Sequence, residues 1–324
     1  MSENEKPVIL VVGAGTMGAS IAQVFAAAGY KTYACNRTQS TIDAARGRIN
    51  TAIEGLITEG IVDDSYAQAV DDNLYQIFYK DVPDIAGEAD VVFESVTEDP
   101  AIKTAVYRML SDHCKPSCIL ASNTSGMDIF GVCDGVVFDQ TRQIIAHWFN
   151  PPHLMNLVEV VRGPETSDET TQAMRQLLEA VGKKPAVLNK FVPGFIVNRI
   201  ATVINRELYY MVGQGWISGE DAENAIRWTH GMRFGFEGPL ALWDFVGLKI
   251  PMAVAKGGVL ESLCNDTDCI PLGDKLVEEG KTGVAAGEGV LKYDDPAAYA
   301  EKRNRRIIQM AKIMQEWDAE DSQA

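Results

Sequence analysis

The chain has 324 residues, 46% hydrophobic and 23% charged, enough for two globular domains that each bury a core. Its formal net charge of -16 argues against nucleic acid and against an anionic membrane surface, because both need a positive face. Six cysteines (Cys35, Cys114, Cys118, Cys133, Cys264, Cys269) show no repeating spacing and read as free thiols of a cytoplasmic protein. Cys114 and Cys118 could share a helical face, but no further His or Cys nearby completes a metal site. The start MSENEKPVIL lacks a basic region before a long apolar core, and no apolar run is long enough to span a membrane.

In chain order, residues 7–12 (PVILVV) read as a buried parallel strand. A glycine loop, Gly13-Ala14-Gly15-Thr16-Met17-Gly18, follows, then an alanine-rich helix ending at Gly29, and a second strand over 31–35. Residues 39–80 read as helical, with apolar positions at Ile42, Ala45, Ile49, Ile53 and Leu56. Strands follow at ADVVFESV, CILASNTS, QIIAHWFNPP, LVEVVRG and PAVLN, with helices from about Pro100 and over 167–182. Alternating strands and helices predict an α/β fold, a Rossmann-type doubly wound sheet over 1–189. From 190 to 324 helical patterns dominate, beginning with a long helix over VPGFIVNRIATVINRELYYMVGQG, and predict an all-α second domain.

Four sets of residues carry chemistry. Gly13, Gly15 and Gly18, with Thr16 and Met17 between them, let the backbone approach a pyrophosphate while the next helix offers its free N–H groups. At the end of the second strand, Asn36-Arg37-Thr38 replaces the carboxylate that usually holds the ribose of NAD. Asn36 cannot repel a 2′-phosphate and Arg37 can pair with one, so NADP(H) is favoured, with NAD(H) as the alternative. Ser122-Asn123-Thr124-Ser125 and His147-Trp148-Phe149-Asn150-Pro151 both end strands, where ligands of open α/β sheets sit. Removing hydride from a C–OH carbon requires a base for the hydroxyl proton; histidine as a residue type suits that task, which makes His147 the candidate, and Glu159 on the following strand can orient it. Ser125 and Asn198 can hydrogen-bond the substrate oxygen.

In this order, VVGAGTMG, FESVTED (with Glu94 and Glu98), SNTS, HWFNP, LVEVV, VPGFIVNR and GPLALWDFVGL resemble the 3-hydroxyacyl-CoA dehydrogenase family over nearly the whole length, with KTGVAAGEGVLKY similar to its closing motif. The resemblance implies His147 as acid or base with Glu159 as its partner, Ser125 and Asn198 on the substrate oxygen, and Glu98, Lys103, Ser125 and Asn150 beside the nicotinamide. It also implies a homodimer formed by the helical domain.

Two departures matter. The family usually has Asp at Asn36. CoA-using members place basic residues in the arm after the second strand, whereas no Lys or Arg occurs here from Asn50 to Tyr79 and Glu54, Glu59, Asp63, Asp64, Asp71 and Asp72 do. Like charges disfavour a CoA phosphate. The expected substrate is therefore a small 3-hydroxy or 3-oxo compound without CoA; the alternative is a short-chain, NAD-dependent 3-hydroxyacyl-CoA dehydrogenase. HWFNPPHLMNLVEVV, with Trp148 and Pro152, looks more like the carnitine and gulonate dehydrogenase branch, and His153 beside the site is a candidate for shaping the pocket. An inactive cofactor-binding protein conflicts with the intact Ser125, His147, Glu159, Asn198 set. An imine-reductase-like enzyme lacks the HWFNP and VPGFIVNR segments.

Overall fold

A computed structural model describes residues 6–267 and 270–321, so Cys269 lies outside the described residues. The chain divides into two compact units, residues 1–196 and 197–324.

The first unit contains one eight-stranded sheet among its described residues. Its strands are β1 (Ile9–Val12), β2 (Thr32–Asn36), β3 (Leu74–Phe78), β4 (Val91–Glu94), β5 (Ile119–Ser122), β6 (Gln143–Trp148), β7 (Leu157–Arg162) and β8 (Lys184–Leu188). They lie in the order β3-β2-β1-β4-β5-β6-β7-β8. All neighbours are parallel except β6 and β7. The order reverses between β1 and β4, which opens a crevice at the carboxyl ends of those strands.

Strand alternation divides the core. Ile9, Val11, Phe25, Phe93 and Trp148 pack on one face of the sheet, and Leu10, Val12, Val92, Tyr107 and Phe195 on the other. Both faces of β1 are therefore buried, which explains its unbroken apolar run. The main helices are α1 (Thr16–Ala27), α2 (Gln39–Thr58), α3 (Asp64–Asn73), α4 (Pro100–His113) and α5 (Asp168–Ala180). Gly29 ends α1 with φ 76°, and the Tyr30 amide bonds back to Phe25, as expected of a C′ glycine.

Three sequence expectations are corrected. The helix expected over 39–80 is two helices and a strand. Gly60 at φ 64° stops α2, the Asp63 carboxylate caps α3 at Ser65, and LYQIF extends the sheet edge beside β2. An edge strand flanked by helical polar sequence carries little periodicity, so it was masked. The long helix begins at Val197 rather than before Pro193. Pro193–Ile196 forms a turn with Gly194 at φ 76° and Phe195 at φ 51°. A left-handed non-glycine costs about 1 to 2 kcal/mol; here the Phe195 ring, 1% exposed, is locked in the sheet's core, which keeps this segment with the first unit and moves the division past 189. Cys114 and Cys118 are not on one helix: Cys114 caps α4 and Cys118 precedes β5.

The second unit is helical, with α6 (Val197–Gly213), α7 (Gly219–Arg227), α8 (Pro239–Val246), α9 (Pro271–Glu278) and α10 (Pro296–Asp321) among its elements. It leaves large apolar side chains exposed, including Trp228, Phe236, Leu240 and Phe245. Among the described residues, no helix is long and apolar enough to cross a membrane.

Candidate active site

The carboxyl ends of β1, β2, β4, β5 and β6 deliver the candidate residues to one edge of the sheet. A cleft of about 270 Å³ lies there, lined by Gly13, Gly15, Asn36, Arg37 and the Ser95–Thr97 segment among others. Each glycine has its own reason. A Cβ at Gly13 would meet the Ser95 carbonyl at 2.7 Å, and one at Gly18 would meet the Gly13 carbonyl at 2.2 Å. At Gly15 a Cβ would meet nothing within 4 Å; it would project into the open cleft. Gly15 is also the N-cap of α1 and offers no side-chain acceptor, so the first-turn amides at Thr16–Gly18 are left for a ligand. This backbone cradle fits a pyrophosphate.

At the β2 end, Asn36 Nδ2 donates to the Ala14 carbonyl at 3.3 Å, which sets the amide beside the glycine loop. Arg37 is exposed on the cleft wall. The Thr38 hydroxyl accepts the Thr41 amide and caps α2.

At the β4 and β5 ends lies a buried polar network. Glu94, fully buried, accepts from Lys103 Nζ at 2.8 and 2.9 Å, from Ser122 Oγ at 2.7 Å and from the Val96 amide at 2.8 Å. Lys103, on α4 and 1% exposed, also lies 3.3 Å from Glu98. Glu98 accepts from Thr124 Oγ1 at 2.8 Å and from the Ser125 amide at 2.8 Å. Burial pushes the Glu98 carboxyl up, but the Ser125 amide, the Lys103 charge and the Thr124 hydroxyl outweigh it and hold it below its ordinary value. Lys103 thus reaches the cleft edge through Glu98. Asn123 ties three strand ends together: its Oδ1 accepts the Trp148 amide at 2.9 Å and its Nδ2 donates to Ser95 Oγ at 3.2 Å.

At the β6 end, His147 and Glu159 are direct partners in the antiparallel β6–β7 register. His147 Nδ1 lies 2.8 Å from Glu159 Oε2, and the other carboxylate oxygen accepts the Ile196 amide at 2.8 Å. Glu159 is fully buried, so the imidazole has a fixed, desolvated partner at Nδ1. The rings of Phe149 and Phe195 sit 4.5 and 5.5 Å from His147, centroid to centroid. Asn150 is exposed just beyond the strand. Asn198 is the second residue of the second unit, which begins with Val197.

Trp148 does not face the site: it is 1% exposed and packs edge-on against Phe25 and Phe93. The loop after it is strapped by Lys183, whose Nζ donates to the Pro152 carbonyl at 2.8 Å and the Met155 carbonyl at 3.1 Å. Burial lowers Lys183 to about 8, and burial with the Lys183 charge lowers His153 to about 4. His153 is therefore neutral near pH 7. In the sequence Glu94 and Asn123 enter only as members of motifs, with no role of their own, and Phe195 and Lys183 have none. Only Glu94 and Asn123 left a signal, as polar residues closing otherwise apolar strands.

The comparisons agree with this geometry. Residues 8–191 match the family model "3-hydroxyacyl-CoA dehydrogenase, NAD binding domain", and residues 194–293 match "3-hydroxyacyl-CoA dehydrogenase, C-terminal domain". The chain is 31% identical to 5-formyl-3-hydroxy-2-methylpyridine 4-carboxylate 5-dehydrogenase of Mesorhizobium japonicum, over 95% of this chain and 98% of that one. It is 35% identical to a probable 3-hydroxybutyryl-CoA dehydrogenase of Deinococcus radiodurans, over 87% of this chain and 99% of that one. The crystal structure of a 5-formyl-3-hydroxy-2-methylpyridine 4-carboxylic acid 5-dehydrogenase, described as an NAD+-dependent dismutase, superposes with a TM-score of 0.85 at 30% identity, covering 95% of this chain and 98% of that one. The names point to NAD, against the NADP(H) preference expected from Asn36 and Arg37. Asn36 explains how the expectation goes astray: it lacks the charge that repels a 2′-phosphate, yet its amide oxygen can still accept from a ribose hydroxyl.

Lys103→Met leaves the Glu94 charge buried without its counter-ion and should cost about 3 to 5 kcal/mol in urea unfolding. The Lys103→Met/Glu94→Gln double variant should recover much of that loss. A single-variant loss below about 1 kcal/mol would contradict a buried ion pair at this position.

Proposed function

The chain belongs to the 3-hydroxyacyl-CoA dehydrogenase family, and we propose that within it this protein is an NAD(H)-dependent dehydrogenase that interconverts a hydroxy and an oxo compound without CoA. The observation that carries the chemistry is the His147 Nδ1–Glu159 Oε2 contact of 2.8 Å at the mouth of a sheet edge built for a dinucleotide. Nicotinamide supplies the hydride acceptor or donor when bound. His147 Nε2 takes the hydroxyl proton during oxidation and returns it during reduction. Glu159 fixes the imidazole's tautomer and stabilises its protonated form. Ser125 and Asn198 hydrogen-bond the substrate oxygen. Glu98, with Lys103 behind it, would hold the nicotinamide end of the cofactor together with Ser125 and Asn150. Thr16, Met17 and the glycine amides take the pyrophosphate; Asn36, Arg37 and Thr38 face the adenosine ribose.

The absence of CoA from the substrate is supported by charge. The arm formed by α2 and α3 exposes Glu54, Asp63, Asp64, Asp71 and Asp72 against two cations in the first half of α2, Arg48 and Arg46, the latter paired with Asp71 at 2.7 Å. A similar protein aligned over nearly its full length acts, by its name, on a free pyridine carboxylate. The second reading, an NAD-dependent short-chain 3-hydroxyacyl-CoA dehydrogenase, draws on the higher identity to the Deinococcus protein. A homodimer through the second unit would cover its exposed Trp228, Phe236, Leu240 and Phe245.

Two measurements test this. In calorimetric titrations NADH should bind at least about tenfold more tightly than NADPH, a difference of about 1.4 kcal/mol. Tighter NADPH, lost in Arg37→Ala, would overturn the NAD assignment. In steady-state assays, a free 3-oxo acid should have kcat/KM about tenfold or more above its CoA thioester. The reverse order would establish the second reading.

A further inference from the structure

We propose that Lys183 is a positioning residue for hydride transfer: its ammonium clamps the loop between β6 and β7 and so keeps Phe149 and Asn150 in place beside His147. The inference rests on the dehydrogenase reading above, in which Asn150 meets the nicotinamide end of the cofactor.

The sheet brings Lys183 to the site. β7 runs antiparallel to β6, and β8 runs parallel to β7, so the residue that leads into β8 lies at the edge where β6 ends. Its backbone is fixed there. Gly182, at φ 75°, follows the end of α5, and the Lys183 amide bonds back to the Leu178 carbonyl at 2.9 Å. The next amide, of Lys184, bonds to the Asn156 carbonyl at 2.8 Å. From that base the side chain turns inward and is 5% exposed. Nζ donates to the Pro152 carbonyl at 2.8 Å and to the Met155 carbonyl at 3.1 Å, and it lies 5.6 Å from the centroid of the Trp148 ring. One ammonium therefore gathers two points of the loop and the last residue of β6.

The energetics favour a firm clamp. Among the described residues no carboxylate pairs with Lys183; two carbonyls and an aromatic face meet its charge. A buried ammonium is costly to desolvate, and here charge-assisted hydrogen bonds and the indole face offset that cost. Exclusion of water strengthens each bond. Within the loop the Leu154 and Met155 amides both bond to the Pro151 carbonyl at 3.0 Å, so the segment that Lys183 holds is itself a closed turn. Phe149 and Asn150 lie between this turn and the strand end. On the strand side the Trp148 amide is fastened to Asn123, and on the turn side Lys183 supplies the second anchor. The Phe149 ring, 4.5 Å from the His147 ring, is held between them. Hydride and proton transfer tolerate little displacement of the reacting groups.

The test compares the wild type with Lys183→Met, which has a side chain of similar length without charge or donors. Turnover is measured with NADH and whichever of a free 3-oxo acid and its CoA thioester the wild type reduces faster, so the choice between those substrate classes does not enter. In the variant kcat should fall about tenfold or more while KM for NADH stays within about twofold. Hydrogen exchange at the Leu154 and Met155 amides should quicken about tenfold or more, with the β6–β7 ladder amides unchanged. Asn150→Ala should lower kcat in the wild type and add little in the Lys183→Met background. If Lys183→Met does not accumulate as folded protein, Lys183→Gln, with a neutral donor, takes its place with the same expected outcomes. Unchanged kcat with unchanged loop exchange would overturn the proposal. So would faster exchange spread through the whole ladder, which marks a merely structural lysine, or additive losses from Lys183 and Asn150. A wild type that reduces neither substrate would defeat the dehydrogenase reading instead, and the loop exchange alone would then decide whether Lys183 is a clamp.

Discussion

The antiparallel register of β6 and β7 is the constraint on which the site depends. It sets His147 opposite Glu159, on one face and at one height, so that a hydrogen bond forms without either side chain having to search. A slip of one residue would turn one of the pair to the other face of the sheet. The register is protected on both sides. Ile144, Ala146, Val158 and Val160 are fully buried in one core cluster and Ile145 and Val161 in the other, so any slip would exchange the two sets and break the packing on both faces. Glu159 is held a second time by the Ile196 amide, which is available because the chain turns sharply at Gly194 and Phe195. Left-handed strain at Phe195 is thereby offset by core packing and by a hydrogen bond to a buried carboxylate.

The rest of the sheet edge obeys the same rule: charge is admitted only where it is paired. Glu94 and Lys103 are both enclosed, and the remaining lone pairs of Glu94 are taken by Ser122 and Val96. Their network reaches Glu98 and the Ser125 amide, while Asn123 fastens the β6 end to the β4 end. The candidate residues at this edge are therefore held in place by one another and by Glu94, Ser122 and Asn123. Such support fixes the geometry that acid–base chemistry demands.

Much of this was legible in sequence, for local reasons. A buried parallel strand, a glycine loop and a helix start are contiguous, so VVGAGTMG announces its conformation. His147 and Glu159 lie on consecutive strand-like runs, QIIAHW and LVEVV, which is why they could be read as partners. What was hidden depends on distant partners. LYQIF becomes a strand only because β2 offers an edge, and its own pattern gives no sign of it. Phe195 takes a left-handed conformation that no phenylalanine prefers, for the sake of a core assembled from other strands. Trp148 reads only as a mark of a family branch, and strand alternation turns it away from His147 to the opposite face, against Phe25 and Phe93. At Asn36-Arg37, the residue types alone suggested a phosphate partner because a missing charge was read as a changed preference.

The most direct measurement of the central claim is a double-mutant cycle on kcat with His147→Ala, Glu159→Gln and the pair. His147→Ala should lower kcat by roughly 10² to 10⁴. Glu159→Gln, which keeps an acceptor for the Ile196 amide, should lower it by itself and add almost nothing once His147 is gone. Additive losses would contradict a carboxylate that acts through the imidazole.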